Sequence, residues 1–155
     1  MGASCFFIGH RETGDYVRPA LVEAVEKHIT EYGVTEFYVG HYGGFDSLAA
    51  KTVKEAKARH PQIRLTLVLP YHPAVRPIKT PKGFDGSFYP WEDEKIPQRL
   101  AIIKTNQRMV DTCEYLITYA YHFLGGTGQI VEYARKREKK GLIKVTNLSP
   151  NPSPL

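Results

Sequence analysis

The stretch HFLGGTGQIVEYA, His122 to Ala134, sets three glycines, a threonine and a carboxylate between a run of β-formers and a helical pattern. Glycine between a strand and a helix lets the backbone turn tightly and approach a ligand, while the first N–H groups of the helix point outward to meet an anion. Gly125, Gly126, Thr127 and Gly128 are therefore candidate phosphate-binding residues. Glu132, about one turn into the helix, is a candidate catalytic acid or base, or a ribose ligand. Its plain alternative is a favourable contact with the helix dipole.

Two further loops carry the same kind of chemistry. HYGGFD contributes Gly43, Gly44 and Asp46, the last at the start of a helical pattern, where it either caps the helix or holds a ribose hydroxyl. CFFIGHR ends an apolar run on Gly9, His10 and Arg11. The Arg11 guanidinium can fork onto a phosphate or carboxylate, or else form a surface ion pair. One Gly-Gly turn on its own is usually an empty turn; two of them beside GHR favour a ligand site.

Neither glycine loop is the dinucleotide fingerprint GxGxxG or a P-loop ending in GK[ST], so no cofactor is assigned. His10, His41, His72 and His122 each follow one of the first four predicted strands. Strands about 4.8 Å apart spread such residues widely, and no HxH or HxxxH pair supports ligation, so no metal is assigned either.

The elements that carry these loops alternate. SCFFI is a buried strand, and Pro19 opens a helix with Leu21, Ala24, Val25, His28 and Tyr32 on one face, ended by Gly33. TEFYVG is a second strand; Leu48, Ala49, Thr52, Val53 and Ala56 stripe a second helix. IRLTLVLP is a third strand, and Tyr71 to Trp91, rich in Pro and Gly, reads as a long, partly ordered lid. From Ile96 a third helix aligns Leu100, Ile103, Gln107 and Val110, followed by the strand EYLITYA. The helix through Glu132 to Lys140 stops at Gly141, before a fifth strand, LIKVTN.

Five strands alternating with four helices predict an α/β fold, a Rossmann-like three-layer sandwich with about five parallel strands in the order 3-2-1-4-5. The switch in that order falls between strands one and four, so GHR and HFLGGTG face each other across a crevice. The 155 residues suit a single domain over 1–148, with 149–155 a mobile tail.

The net charge of +5 is concentrated in RKREKK at the end of a predicted helix, where Lys and Arg complement the dipole. No aromatic residues are interleaved with it, so the charge points away from nucleic acid and towards a small anionic ligand. Cys5 and Cys113 read as buried thiols of a reducing compartment, and no run approaches the roughly 20 apolar residues of a membrane span. A cytoplasmic protein with no membrane partner is expected.

CFFIGHR, GGFDSLAAKTVKEAK, LVLPYHP, NQRMVDTCEYLITYA and GGTGQIVEYA together resemble the YpsA-like branch of the SLOG superfamily, in order over nearly the whole chain. The resemblance implies a Rossmann-like fold related to the Lonely Guy phosphoribohydrolases and to the DNA-processing protein DprA. It also implies binding of nucleotides or nucleotide-derived ligands, in a sensing role, and a homodimer. In the Lonely Guy pattern PGGxGTxxE, Gly125, Gly126, Gly128 and Glu132 match, whereas Leu124 replaces the proline and Gln129 the phosphate-binding threonine. The catalytic arginine of that family has no clear counterpart, since Arg108 lies nearer the following strand and Arg99 farther from it. The leading reading is thus a nucleotide-binding module, with a nucleoside-monophosphate phosphoribohydrolase or N-glycosidase as the alternative and a protein-interaction scaffold third.

Overall fold

The computed structural model describes residues 2–92 and 96–149. The first strand, β1 (Ala3–Gly9), is an almost continuous apolar run, as suits a strand covered on both faces. It is followed by α1 (Arg18–Thr30), β2 (Val34–Val39), α2 (Gly44–Arg59) and β3 (Arg64–Val68). The second half comprises β4 (Gly86–Phe88), α3 (Ala101–Thr112), β5 (Tyr115–Tyr119), α4 (Gly125–Lys139) and β6 (Lys144–Asn147). All strand pairs are parallel, in the order β4-β3-β2-β1-β5-β6.

Alternation along β1 divides the core. Cys5 and Phe7 point to one face, where α1 and α2 bring Leu21, Val25, Phe45 and Val53. Phe6 and Ile8 point to the other, where α3 and α4 bring Met109, Val110, Ile130 and Ala134. Successive strand side chains must face opposite ways, so a run of four apolar residues supplies both layers of the sandwich. Phe7 and Phe37 stack at 5.8 Å across β1 and β2.

The expected α/β sandwich is present with six strands instead of five. The additional strand, β4, lies inside the segment read as a lid. Its anchor is Asp85, whose backbone N–H donates to Leu65 O and whose carboxylate accepts from the Leu65 N–H, each at 2.8 Å, and from Lys57 Nζ. Three strand residues among prolines and glycines are too few to display a period.

The third helix is also turned from its sequence reading. Its buried residues are Ala101, Thr105, Met109 and Val110, whereas Ile103 is 40% exposed. Thr105 is buried because its hydroxyl accepts the Trp91 indole N–H at 3.0 Å, a partner no periodicity could reveal. Tyr32 lies beyond α1 and stacks on Tyr115 at 5.2 Å. Of the tail expected at 149–155, all but Ser149 lies outside the described residues. No described helix is long and apolar enough to cross a membrane.

Candidate functional site

From β1 the chain builds outward through β2, β3 and β4, then returns to place β5 on the other side of β1. At the carboxyl ends of β1 and β5 the connections leave in opposite directions, which opens a crevice at the switch point. It has a volume of about 380 Å³. Gly9, His10, Arg11 and Glu12 form one wall, and His122, Leu124, Gly125, Gly126 and Thr127 form the other. Tyr42 and Asp46 line a third side.

The β5–α4 loop is built to leave amides open. Gly125 has φ +77°, the left-handed region that glycine enters without strain. Gly126 is exposed, with nothing within 4 Å of the position a Cβ would take. Gly128 is buried, and a Cβ there would stand 2.3 Å from the Phe123 carbonyl oxygen. The three glycines thus serve three purposes: the turn, open access, and close packing of helix on loop. Thr127 Oγ1 donates to Gly9 O at 3.2 Å and ties the helix start to the end of β1. Leu124 caps α4 without a side-chain hydrogen bond. No acceptor for the Gly125, Gly126 and Thr127 amides is found among the described residues, so the positive end of a 15-residue helix opens on the crevice.

The β2–α2 loop differs. A Cβ on Gly43 would lie 2.7 Å from Arg11 Cα, and one on Gly44 would lie 2.4 Å from Thr13 O. The Gly44 N–H donates to Arg11 O at 2.8 Å. Asp46 is the third residue of α2 and not its cap; its Oδ2 accepts the Tyr42 N–H at 3.0 Å. Here the glycines let two loops pack on one another, Arg11 O already holds the Gly44 amide, and neither Gly43 nor Gly44 lines the crevice. Burial pushes the Asp46 carboxyl up to about 6, against the pull of the Tyr42 N–H and Arg11.

Arg11 is exposed and forms no ion pair among the described residues, leaving its guanidinium available to a ligand. His10 is 6% exposed, and its Nε2 has no hydrogen-bond partner among the described residues. Its ring lies 4.1 Å from that of His122 and 4.3 Å from that of Tyr121. Burial and then His122 lower its pKa, while Glu12 and the His122 backbone oppose them. His122 Nδ1 accepts the Leu124 N–H at 3.2 Å.

Glu132 is not brought to this crevice. Five residues beyond Thr127, it lies about 140° around the helix. Its side chain is 68% exposed, 3.8 Å from Lys136, and borders a separate cavity with Phe123, Val131, Arg135 and Asn147. Gly128 is also absent from the crevice lining. His41 lies over Tyr42, and His72 lies 5.2 Å from Tyr89. Among the described residues no group of three His, Cys, Asp or Glu could hold a metal ion. Thr105 and Asn106 of α3 also line the crevice. Their only sequence signal is a polar pair on a helix leading into the strand at the switch.

No family model matches the chain, and no curated protein does. Solved structures of DNA processing protein A (DprA) do. The protein from Streptococcus pneumoniae is matched over 94% of this chain and 59% of its own, with a TM-score of 0.61 and 12% identity. The protein from Helicobacter pylori, which binds single-stranded DNA, is matched over 95% and 77%, with a TM-score of 0.56 and 12% identity. The chain therefore spans about three-fifths of the length of the streptococcal protein. It shares the fold of DprA. The similarity corrects one expectation: because a protein of this fold binds single-stranded DNA, a helical basic run without aromatics is no argument against a nucleic-acid partner.

Proposed function

We propose that the switch-point crevice binds a nucleotide or nucleotide-derived ligand, as a YpsA-like member of the SLOG superfamily, and that this binding, in a sensing role, is the function. The observation that carries the reading is the uncapped N-terminus of α4, which opens on a crevice with a free Arg11 guanidinium beside it. Helix dipole, open amides and guanidinium all favour a phosphate. That H. pylori DprA binds single-stranded DNA supports a phosphate-bearing ligand on this fold. Cys5 and Cys113, both buried and unbonded, fit the cytoplasmic setting expected from the sequence. The phosphoribohydrolase alternative loses support because Glu132 faces another cavity, and a scaffold leaves the open amides without a purpose.

The test is a thermal-shift screen with nucleoside phosphates, nucleotide sugars and a single-stranded oligonucleotide, followed by chromatography for released base. A ligand at 100 times its Kd adds about 2.7 kcal/mol, so a specific binder is readily seen. Stabilisation by a nucleotide without base release supports the reading. No shift by any nucleotide at millimolar concentration overturns it, and base release abolished by Glu132→Ala replaces it with hydrolysis.

A further inference from the structure

We infer that His10 is the inner ligand contact of the crevice, pairing through Nε2 with one oxygen of a terminal phosphate whose other oxygens meet the α4 amides and Arg11. The inference rests on the proposed phosphate site and names what that site selects.

A buried imidazole nitrogen normally has a partner, because an unsatisfied polar atom away from water is costly. His10 Nε2 has none among the described residues, although its residue is 94% buried and lines the crevice. Three nearby polar groups are engaged elsewhere: the Thr127 hydroxyl donates to Gly9 O, the Thr13 hydroxyl to His10 O, and His122 Nδ1 accepts from Leu124. Glu12 and the His122 backbone act on the ring and raise its pKa, yet neither completes a hydrogen bond to Nε2, which leaves that nitrogen to a ligand atom.

Three separate groups then border the crevice: the amides at the start of α4, the His10 ring and the Arg11 guanidinium. A phosphate monoester presents three free oxygens, one for each. An internal phosphodiester presents two, and both of its ester arms must find a way out past a buried imidazole. His10 therefore favours a terminal phosphate over an internal phosphodiester.

The contact has a proton linkage. A phosphate oxygen on Nε2 stabilises the imidazolium, whereas burial lowers the ring's pKa in the free protein. Binding thus draws a proton to the shared hydrogen bond, so affinity falls as pH rises through the pKa of the bound His10, and it falls again on the acid side as the monoester loses its second charge at about pH 6. Beside the ring are Glu12 from its own loop, and Tyr121 and His122 from the β5–α4 loop, while Arg11 lines the same crevice. Tyr42 and Asp46 line the same crevice from the α2 side, whereas α3 and the start of α4 line it with no titratable residue. Asp46 loses its charge in the same pH range, so its effect must be removed separately.

The experiment is a titration of ¹⁵N-labelled protein with methyl phosphate and with dimethyl phosphate, reading both the Gly125, Gly126 and Thr127 amides and the His10 ring nitrogens. With methyl phosphate, amides and ring should shift together and the His10 pKa should rise; dimethyl phosphate should bind about tenfold more weakly, the worth of one charge-assisted hydrogen bond. His10→Ala should lose about tenfold in affinity by the same measure. His10→Gln, which keeps a donor, should bind without the steep pH dependence, and Asp46→Asn should retain that dependence. Amide shifts without any change at the His10 ring, or equal affinity for the two esters, overturn the role of His10 and leave the phosphate site standing. Shifts in neither overturn both.

Discussion

Gly126 and Gly128 stand two residues apart in one motif, yet substitution should move stability in opposite directions. At Gly126 a side chain meets nothing within 4 Å, and the backbone is not in the left-handed region. Replacing this glycine in the first turn of α4 gains up to about 0.5–1 kcal/mol in chain entropy when the replacement is alanine. Aspartate gains less from propensity but adds about 0.3–1 kcal/mol from its charge at the positive end of the helix. Gly126→Asp should therefore melt about 2 °C higher than the parent, at roughly 2–4 °C per kcal/mol for a chain of this size. It should also lose all stabilisation by phosphate ligands, because its carboxylate occupies their place. In Gly128→Ala the added methyl would lie 2.3 Å from the Phe123 carbonyl oxygen and 2.4 Å from its carbon, backbone atoms that cannot swing aside. Overpacking of this kind costs about 1–3 kcal/mol, so the melting point should fall by about 2–12 °C. Differential scanning calorimetry with and without the nucleotide that stabilises the parent measures both effects. Undiminished binding by Gly126→Asp refutes the anion assignment, and a parent-like melting point for Gly128→Ala refutes the packing argument.

Asp46→Asn keeps an acceptor for the Tyr42 N–H but removes a carboxyl raised from 3.8 to about 6. An acid with a raised folded pKa weakens the fold once ionised, so the variant should gain up to about 3 kcal/mol above pH 6, less whatever solvent screens, and the gain should vanish as pH falls towards 4; denaturant midpoints at pH 8 and pH 4 measure it, and equal gains at both refute it. Trp91 is the sole tryptophan and its indole donates to Thr105, which lines the crevice. Ligand binding should therefore change intrinsic fluorescence, and Trp91→Phe should abolish the signal while costing about 1 kcal/mol. His28 is buried with Nδ1 2.6 Å from Ala24 O and its ring edge-on to Tyr32 and Tyr115. Burial lowers its pKa, so stability should fall as pH drops through about 6.5, where the unfolded chain takes up the proton; an unfolding curve for His28→Leu that keeps that slope contradicts the assignment.

Much of the architecture is legible because burial writes itself into local periodicity. CFFI must serve both faces of a parallel sheet, Leu48, Ala49, Thr52, Val53 and Ala56 are all buried as their spacing requires, and the alternation of strands and helices forces a parallel sheet with a switch beside β1. That switch, in turn, brings GHR and HFLGGTG together although more than a hundred residues separate them. Features held by single long-range partners are not legible. β4 depends on Asp85 meeting Leu65 and Lys57, and the rotation of α3 depends on Trp91 finding Thr105.

Residue types alone therefore determine that glycine loops, a histidine and an arginine gather at one edge of the sheet. Tertiary structure decides what each does there. The Gly43-Gly44 pair is consumed by packing against the Arg11 loop, while the Gly125-Gly126 pair leaves its amides open. Glu132 matches a catalytic pattern in sequence, yet helical geometry turns it away from the crevice. His10 follows a strand like His41 and His72, but its burial beside His122 leaves Nε2 without a partner among the described residues. Spacing along a chain sets which groups can meet; direction, burial and the competition of neighbouring donors and acceptors exist only once the chain is folded.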